Sequence, residues 1–235
     1  MSFTTPEFWI ALLQIIMINI VLSGDNAVVI ALASRSLPPA QQKKAIIFGS
    51  VGAIVLRLVL TFFAVYLLTL PYLKLIGAVL LLWIGIGLLK PEGEENDLQG
   101  HSSLAAAIKT IIVADLVMSL DNVIGVAAAA KGNVPLLVIG LVISIPLIIY
   151  GSTLMLKLMG RFPVIITIGA GLLGWVAGEM AVSDPAVTAW MANHSTLHML
   201  APPVGALLVV LTGKFILGRS TAQQSMARAV EQGAG

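Results

Sequence analysis

The chain contains no cysteine, which excludes a disulfide framework, a thiolate metal site and a thiol redox switch. It is also poor in charge: only 10% of its 235 residues are Asp, Glu, Lys or Arg, against about a quarter in soluble globular domains. With 58% hydrophobic residues and a mean hydropathy of +1.01, that scarcity excludes a soluble domain and reads as an integral membrane protein. The pI of about 9.0 does not point to nucleic acid, because the net charge is only +2 and the basic residues stand singly between apolar runs. A GxxxxGK[ST] phosphate loop is missing, so this sequence has no motif for ATP hydrolysis. The opening MSFTTPEF lacks the basic start of a secretory signal, and the first apolar run is therefore read as a retained span.

Long apolar runs are abundant. A bilayer core of about 30 Å asks for about 17 to 25 apolar residues per helix. The sequence predicts seven such spans, at 8–34, 45–70, 72–90, 104–130, 134–158, 163–181 and 200–218. The expected fold is all-α, a polytopic membrane protein forming one membrane domain over 1–235. Basic residues prefer the cytoplasmic side. With the N-terminus outside and the C-terminus inside, the inner side holds Arg35, Lys43, Lys44, Lys90, Lys109, Lys157, Arg161, Lys214, Arg219 and Arg228. The outer side then holds only Lys74 and Lys131, and Arg57 falls inside span two.

The chain also repeats itself. QIIMINIVLSGDNAVVIALASR aligns with TIIVADLVMSLDNVIGVAAAAK, matching Asn19 to Asp115, Ser23 to Ser119, Asp25 to Asp121 and Asn26 to Asn122. PYLKLIGAVLLLWIG aligns with PVIITIGAGLLGWVA, matching Gly77 to Gly169 and Trp83 to Trp175. The units are 8–90 and 104–181, followed by a seventh helix at 200–218 and a tail at 219–235 expected to be disordered or to lie on the surface. Three spans separate the copies, so equivalent spans run in opposite directions: an inverted 3+3 repeat, the internal symmetry of many secondary transporters.

Inside these spans, polar residues fall into stripes. Asn19, Ser23 and Asn26 line one helical face, as do Asp115, Ser119 and Asn122, with Asp25 and Asp121 flanking them. If the stripes meet across the pseudo-two-fold axis, carboxylate, hydroxyl and amide oxygens converge near the midplane into a cage suited to a hard divalent cation such as Mg²⁺, Ca²⁺ or Mn²⁺. Gly24 would allow local unwinding beside Asp25, whereas its counterpart Leu120 argues against unwinding in span four. The bland role is helix-to-helix hydrogen bonding, worth about 1 kcal/mol or less each, and it stays open for Asn19, Ser23 and Ser119. It does not account for Asp25, Asp115 and Asp121, because an ionised carboxylate at the bilayer centre costs at least about 2.5 to 3.5 kcal/mol. Arg57 is expected to be a buried charge partner for one of them, leaving two negative charges for one divalent cation.

Other polar groups carry weaker signals. Glu179 is expected at the outer end of span six, facing the interface or serving as an exit-side ligand. His194 and His198 have metal-ligand spacing but no third ligand nearby. The inner-loop run PEGEEND and His101 read as solvated linker, or as a means of gathering cations at an entrance.

SGDN and SLDN, each in a long span and followed by IGAVLLLWIG and IGAGLLGWV, resemble the TerC family of integral membrane proteins, nearest its YkoY- and YjbE-like branch. The likeness covers roughly residues 8–181. It implies manganese export across a bacterial plasma (inner) membrane, within a LysE-type superfamily that includes lysine and cadmium exporters. It directs the motif role to Asp25, Asn26, Asp121 and Asn122, with Asn19 and Asp115 earlier on the same helices. The function expected is therefore non-enzymatic: secondary-type export of Mn²⁺, the ion being cargo with no permanently bound cofactor, with proton exchange as the natural coupling. The partners expected are that ion, the lipid bilayer and a further copy of the chain in a homo-oligomer. Two other readings stay open, an exporter of an amino acid or other small cation and an accessory factor delivering metal to exported metalloproteins. An intramembrane aspartyl protease is disfavoured, since an asparagine beside each aspartate suits ligation better than a dyad sharing one proton.

Overall fold

In lipid a backbone finds no water to bond, so apolar segments must satisfy their own N–H and C=O groups, and this chain does so as helices. A computed structural model describes the backbone of residues 6–67, 69–89, 103–130, 133–191 and 194–233; within its helices, the side chains at 7, 22, 64, 65, 121, 124, 127–129, 189, 195 and 218–233 lie outside the description. In chain order the elements are α1 (Pro6–Leu22), α2 (Gly24–Ser34), α3 (Pro39–Leu67), α4 (Leu73–Gly87), α5 (Leu104–Ala130), α6 (Val134–Arg161), α7 (Val164–Val182), α8 (Pro185–Met191) and α9 (Ser195–Gly233). No strand occurs among the described residues.

Among the described residues, four helical segments are long and apolar enough to cross a membrane: Pro39–Phe63, Val134–Arg161, Val164–Val182 and Thr196–Leu217. A fifth forms if the bent pair Phe8–Val21 and Gly24–Ser34 is one span. The chain is thus a multi-pass, all-helical membrane protein, and four to five of the seven spans read from the sequence meet that length and composition among the described residues. Of the other two, α4 is apolar but 15 residues long, and α5, 27 residues long, has its side chains at 121, 124 and 127–129 outside the description. Three boundaries also change. The predicted span 8–34 is broken at Ser23, whose backbone (φ −110°, ψ 5°) is not helical, and its halves meet at 47°. Ser-Gly pairs are a recognised source of sharp kinks, so the unwinding expected beside Gly24 occurs, while α5 passes Leu120 unbroken. The short α8 was not anticipated. The predicted tail continues α9 as helix to Gly233, because its Ala, Gln, Arg, Glu and Met residues are good helix formers and no proline interrupts them.

Packing repeats along the chain. Gly49 of α3 faces Ile111 of α5, and Gly140 of α6 faces Ile15 of α1; Ile15 and Ile111 are as far apart in sequence as Asn19 and Asp115. Thr61 Oγ1 donates to the Arg57 carbonyl (2.7 Å), and Ser152 Oγ donates to the Ile148 carbonyl (2.8 Å); Gly49–Gly140, Arg57–Ile148 and Thr61–Ser152 share a single separation. The contacts also set directions. α3 runs parallel to α5, since Gly49 faces Ile111 and, further along, Arg57 meets Ser119. α6 runs parallel to α1 and α2, since Gly140 faces Ile15 and Gly151 faces Ala27. α4 and α7 are antiparallel: Gly77 faces Met180, and Gly85 faces Leu173. Gly77 and Gly169, matched in the repeat, permit close packing, the first against Val117, the second against Val28 and Leu32. α9 lies against α7, where Gly174 and Gly178 bring the two backbones into direct contact at Gly205 and Ala201.

Exposure is inverted relative to a soluble protein. Trp9, Leu13, Phe48, Phe62, Trp83, Tyr150, Leu211 and Phe215 lie on the outside, more than half exposed, whereas Arg57, Asp115, Asn19 and Asn26 are buried. An apolar exterior of this extent requires lipid around it.

One end of the bundle is tied by Asp184, fully buried in the turn between α7 and α8. Its carboxylate accepts from the backbone N–H groups of Tyr72 (2.9 Å), Lys74 (3.0 Å), Leu75 (3.2 Å) and Ala186 (2.7 Å). It therefore satisfies first-turn donors of both α4 and α8 and holds Tyr72 in the left-handed region (φ 67°). Toward the other end, Arg35 Nη2 donates to the Leu88 carbonyl (3.0 Å), joining the end of α2 to that of α4. Burial opposes ionisation of Asp184, but its four amide donors outweigh it and hold the carboxyl below its ordinary value of 3.8. Asp184→Ala should destabilise the protein by at least about 3 kcal/mol, because it strands buried donors. A depressed folded pKa gives stability that is complete above the unfolded value and lost as pH falls through the folded one. The melting-temperature gap between the intact protein and Asp184→Asn in detergent should accordingly be constant near neutrality and shrink below pH 3.8.

Candidate functional site

Arg57 lies within α3, a helix whose other buried residues at this level are apolar, and it is 1% exposed. A guanidinium cannot shed its charge and presents five donors in a rigid fork. Its partners come from two helices, α5 and α1, and from the break between α1 and α2. Nε donates to Ser119 Oγ of α5 at 2.9 Å, and Nη2 donates to Asp115 Oδ1 at 2.5 Å, forming a buried ion pair. Nη1 donates to Asn19 Oδ1 of α1 at 2.5 Å and to Ser23 Oγ at the helix break at 2.9 Å. The break turns α2 by 47° just beyond Ser23, at the level where Ser23 and Asn19 meet the guanidinium.

The remaining bonds close the cluster. Asp115 Oδ1 also accepts from Asn26 Nδ2 of α2 at 2.8 Å, and Oδ2 accepts from Ser119 Oγ at 3.0 Å. Ser23 Oγ donates to Asn19 Oδ1 at 3.4 Å. Three buried polar atoms find no partner among the described residues: Asn19 Nδ2, Asn26 Oδ1 and Ser50 Oγ. Buried polar atoms are nearly always satisfied, so the two belonging to this cluster mark it as a place with unused bonding capacity.

Five of the eight predicted ligands, Asn19, Ser23, Asn26, Asp115 and Ser119, therefore converge, and Arg57 sits among them. Asp25 is half-buried, and its Oδ1 accepts from the Asn26 amide at 2.8 Å, in the first turn of α2 where the helix dipole favours a carboxylate. Asn122 is half-buried on α5, one turn beyond Ser119. The backbone of Asp121 belongs to α5, but its side chain lies outside the described residues. Arg57 does more than the expected pairing with one carboxylate: it contacts four side chains and fills the centre of the cluster.

Elsewhere the predicted candidates separate. Glu179 is exposed near the end of α7. His194 is exposed, with Nδ1 against the Trp190 carbonyl at 2.9 Å and its ring stacked on Trp190 at 4.3 Å; His198 is exposed on α9. His101 and the acidic run at 91–97 lie outside the described residues. No group of three or more His, Cys, Asp or Glu side chains that could hold a metal occurs among the described residues. Sequence reasoning missed Asp184, although SDPA carries the signal: an Asp N-cap followed by proline at the first helical position.

The profile of the integral membrane protein TerC family matches residues 4–221. The chain belongs to the TerC family. It is 45% identical over 205 residues to the uncharacterized membrane protein YjbE of Bacillus subtilis, covering 87% of this chain and 94% of that one. It is 25% identical over 197 residues to the uncharacterized membrane protein YkoY of the same organism, covering 75% of this chain and 60% of YkoY. The UPF0053 inner membrane protein YoaE of Escherichia coli K12 is 26% identical over 183 residues, 69% of this TerC-family chain but 35% of YoaE. No solved structure matches.

Removing one partner of a buried ion pair leaves an uncompensated charge, at a typical cost of about 3 to 5 kcal/mol. Arg57→Ala should therefore lower unfolding stability in mixed micelles by that amount. The double variant Arg57→Met/Asp115→Leu should be more stable than Arg57→Ala alone. If the losses of the single variants simply add, the pair is not coupled.

Proposed function

We propose that this protein is a secondary transporter that exports a divalent metal cation, Mn²⁺ foremost, from the bacterial cytoplasm by alternating exposure of its buried Asp/Asn cluster. The observation that carries the reading is the ionic cluster of Asn19, Ser23, Asn26, Arg57, Asp115 and Ser119 at the meeting of two equivalent helix sets. Apart from Arg57 and the two asparagine amide nitrogens, its polar side-chain atoms are oxygens suited to a hard cation, and charged side chains inside a membrane span mark substrate and ion paths. Asn19, Ser23, Asn26, Asp115 and Ser119 would offer oxygens directly, with Asp25, Asp121 and Asn122 from the repeated motif completing the set. Asp25 beside the break in α1–α2 suits a site whose access changes, because discontinuous helices are where transporters bind ions.

Seven passes, made by α1–α2, α3, α4, α5, α6, α7 and α9, with the N-terminus outside and in the bacterial inner membrane, fit this role. The parallel pairing of α3 with α5 and of α6 with α1–α2, and the antiparallel pairing of α4 with α7, support an inverted repeat. On this topology the Asp184 clamp closes the outer end, with Lys74 beside it (Lys74 Nζ to Ser183 Oγ, 3.4 Å). Proton exchange follows naturally, since a carboxylate that releases metal to an acidic exterior can return protonated.

An amino-acid exporter would need a cation for the substrate carboxylate, but Arg57 is engaged by Asp115. An aspartyl protease needs two acids sharing a proton, whereas Asp115 is paired with a guanidinium. Delivery of metal to exported metalloproteins would use the same cation site.

Cells expressing the intact protein should accumulate less manganese under manganese challenge than cells without it. Asp25→Asn and Asp121→Asn, at equal membrane abundance, should each abolish that difference. Manganese unchanged by the intact protein would overturn the export reading, and competition of free lysine for the site would favour the amino-acid reading.

A further inference from the structure

We infer that Arg57 is a tethered cation that occupies the transport site between substrates, so that a divalent ion enters by displacing the guanidinium and leaves as the guanidinium returns. This rests on the cation-transport reading above. Its first support is the identity of the atoms engaged. Asp115 Oδ1, Asn19 Oδ1, Ser23 Oγ and Ser119 Oγ are the oxygens a hard cation would need, and all four accept from Arg57. Lone pairs directed at N–H groups are not available to a metal, and two cations sharing one carboxylate in a dry interior repel strongly. Guanidinium and metal therefore exclude each other. The alternative, in which Arg57 stands aside as a fixed counter-charge while three carboxylates hold the ion, does not match a guanidinium at the cluster's centre.

The second support is a break in the symmetry. At this level α3 and α6 are otherwise alike: Thr61 and Ser152 donate back to the carbonyls of Arg57 and Ile148 respectively. Yet the position equivalent to Arg57 is the buried, apolar Ile148. The acid is one-sided as well, since Asp115 is matched by Asn19, so cation and carboxylate occur as one pair at one place in the bundle. A single internal cation meets the needs of a single site on the pseudo-two-fold axis, where a second would crowd it. The third support is the unused capacity beside the guanidinium: Asn26 Oδ1 is buried and without a partner among the described residues, an acceptor that Arg57 does not use and a metal could.

Such a residue sets selectivity by charge. A monovalent ion gains too little from one carboxylate to expel a guanidinium held by four side chains, whereas a divalent ion gains about twice the Coulombic attraction at equal distance. Arg57 would also neutralise Asp115 in the metal-free site, so that this carboxylate is not left bare when access changes.

The test is Mn²⁺ binding to the purified full-length protein in detergent, by titration calorimetry and by Mn²⁺-dependent shift of the melting temperature. Arg57→Gln removes the competing charge, so it should bind Mn²⁺ at least about tenfold more tightly than the intact protein. It should be less stable than the intact protein without metal, regain that stability with Mn²⁺, and let Na⁺ compete. Arg57→Lys keeps a cation but loses the fork, folds under milder strain, and should bind Mn²⁺ with intermediate affinity. Binding unchanged or weakened in both variants, while the intact protein binds Mn²⁺, would overturn the tethered-cation inference alone. No Mn²⁺ binding by the intact protein or either variant would overturn the transport reading and this inference together.

Discussion

The fold is organised around an energetic difficulty: a guanidinium and a carboxylate, both buried, held in a lipid-embedded bundle. Desolvating two such ions costs several kcal/mol each even after relaxation, and their attraction offsets this only with good geometry and further hydrogen bonds. Arg57 and Asp115 meet that condition because α5 supplies Ser119 as well as the carboxylate, and because α1 and α2 bring in Asn19, Ser23 and Asn26. The break at Ser23 belongs to the same solution. The serine at the break accepts from Arg57, and the turn of α2 beyond it brings Asn26 to Asp115. The kink and the ionic cluster are thus two aspects of a single arrangement.

Around that centre the helices are related by near-equivalence, and the departures from it are informative. Glycines at matching positions of α3 and α6 receive matching isoleucines of α5 and α1. The two ends are tied by opposite charges, however. At one, the Asp184 carboxylate gathers four backbone donors from α4 and α8; toward the other, the Arg35 guanidinium reaches the Leu88 carbonyl. Both are charge-assisted bonds to the backbone.

Much of the site was legible because charge in lipid is conspicuous. Asn19, Ser23, Asn26, Asp115 and Ser119 stand out of apolar runs at helical spacing, and the doubled motif indicates that they belong together. Arg57 was legible as a buried charge, but not as the group at the centre, since its reach to α5, α1 and the break at Ser23 depends on packing that one helix period does not encode. Asp25 stands outside the hydrogen-bonded cluster because, one residue before Asn26, it is turned about 100° round the helix and only flanks the polar stripe. Asp184 went unread although SDPA is a capping signature, because its importance lies in Tyr72, Lys74 and Leu75, distant in sequence. The ends of the spans were the least legible feature, since periodicity does not set where a helix stops: the span read at 72–90 forms helix over the 15 residues of α4.

Charge balance gives the third aspartate its meaning. With Arg57 in place, Asp115 is neutralised and the cluster carries no net charge. Exchange of the guanidinium for a divalent ion would leave one positive charge in excess, costly at low dielectric unless a second carboxylate approaches. Asp25 is placed to do so, half-buried and one residue from Asn26, which already bonds Asp115. Asp121 lies beyond Ser119 on the same helix as Asp115. Counted over the whole site, one guanidinium and three ionised acids sum to two negative charges, the number that one divalent ion would balance.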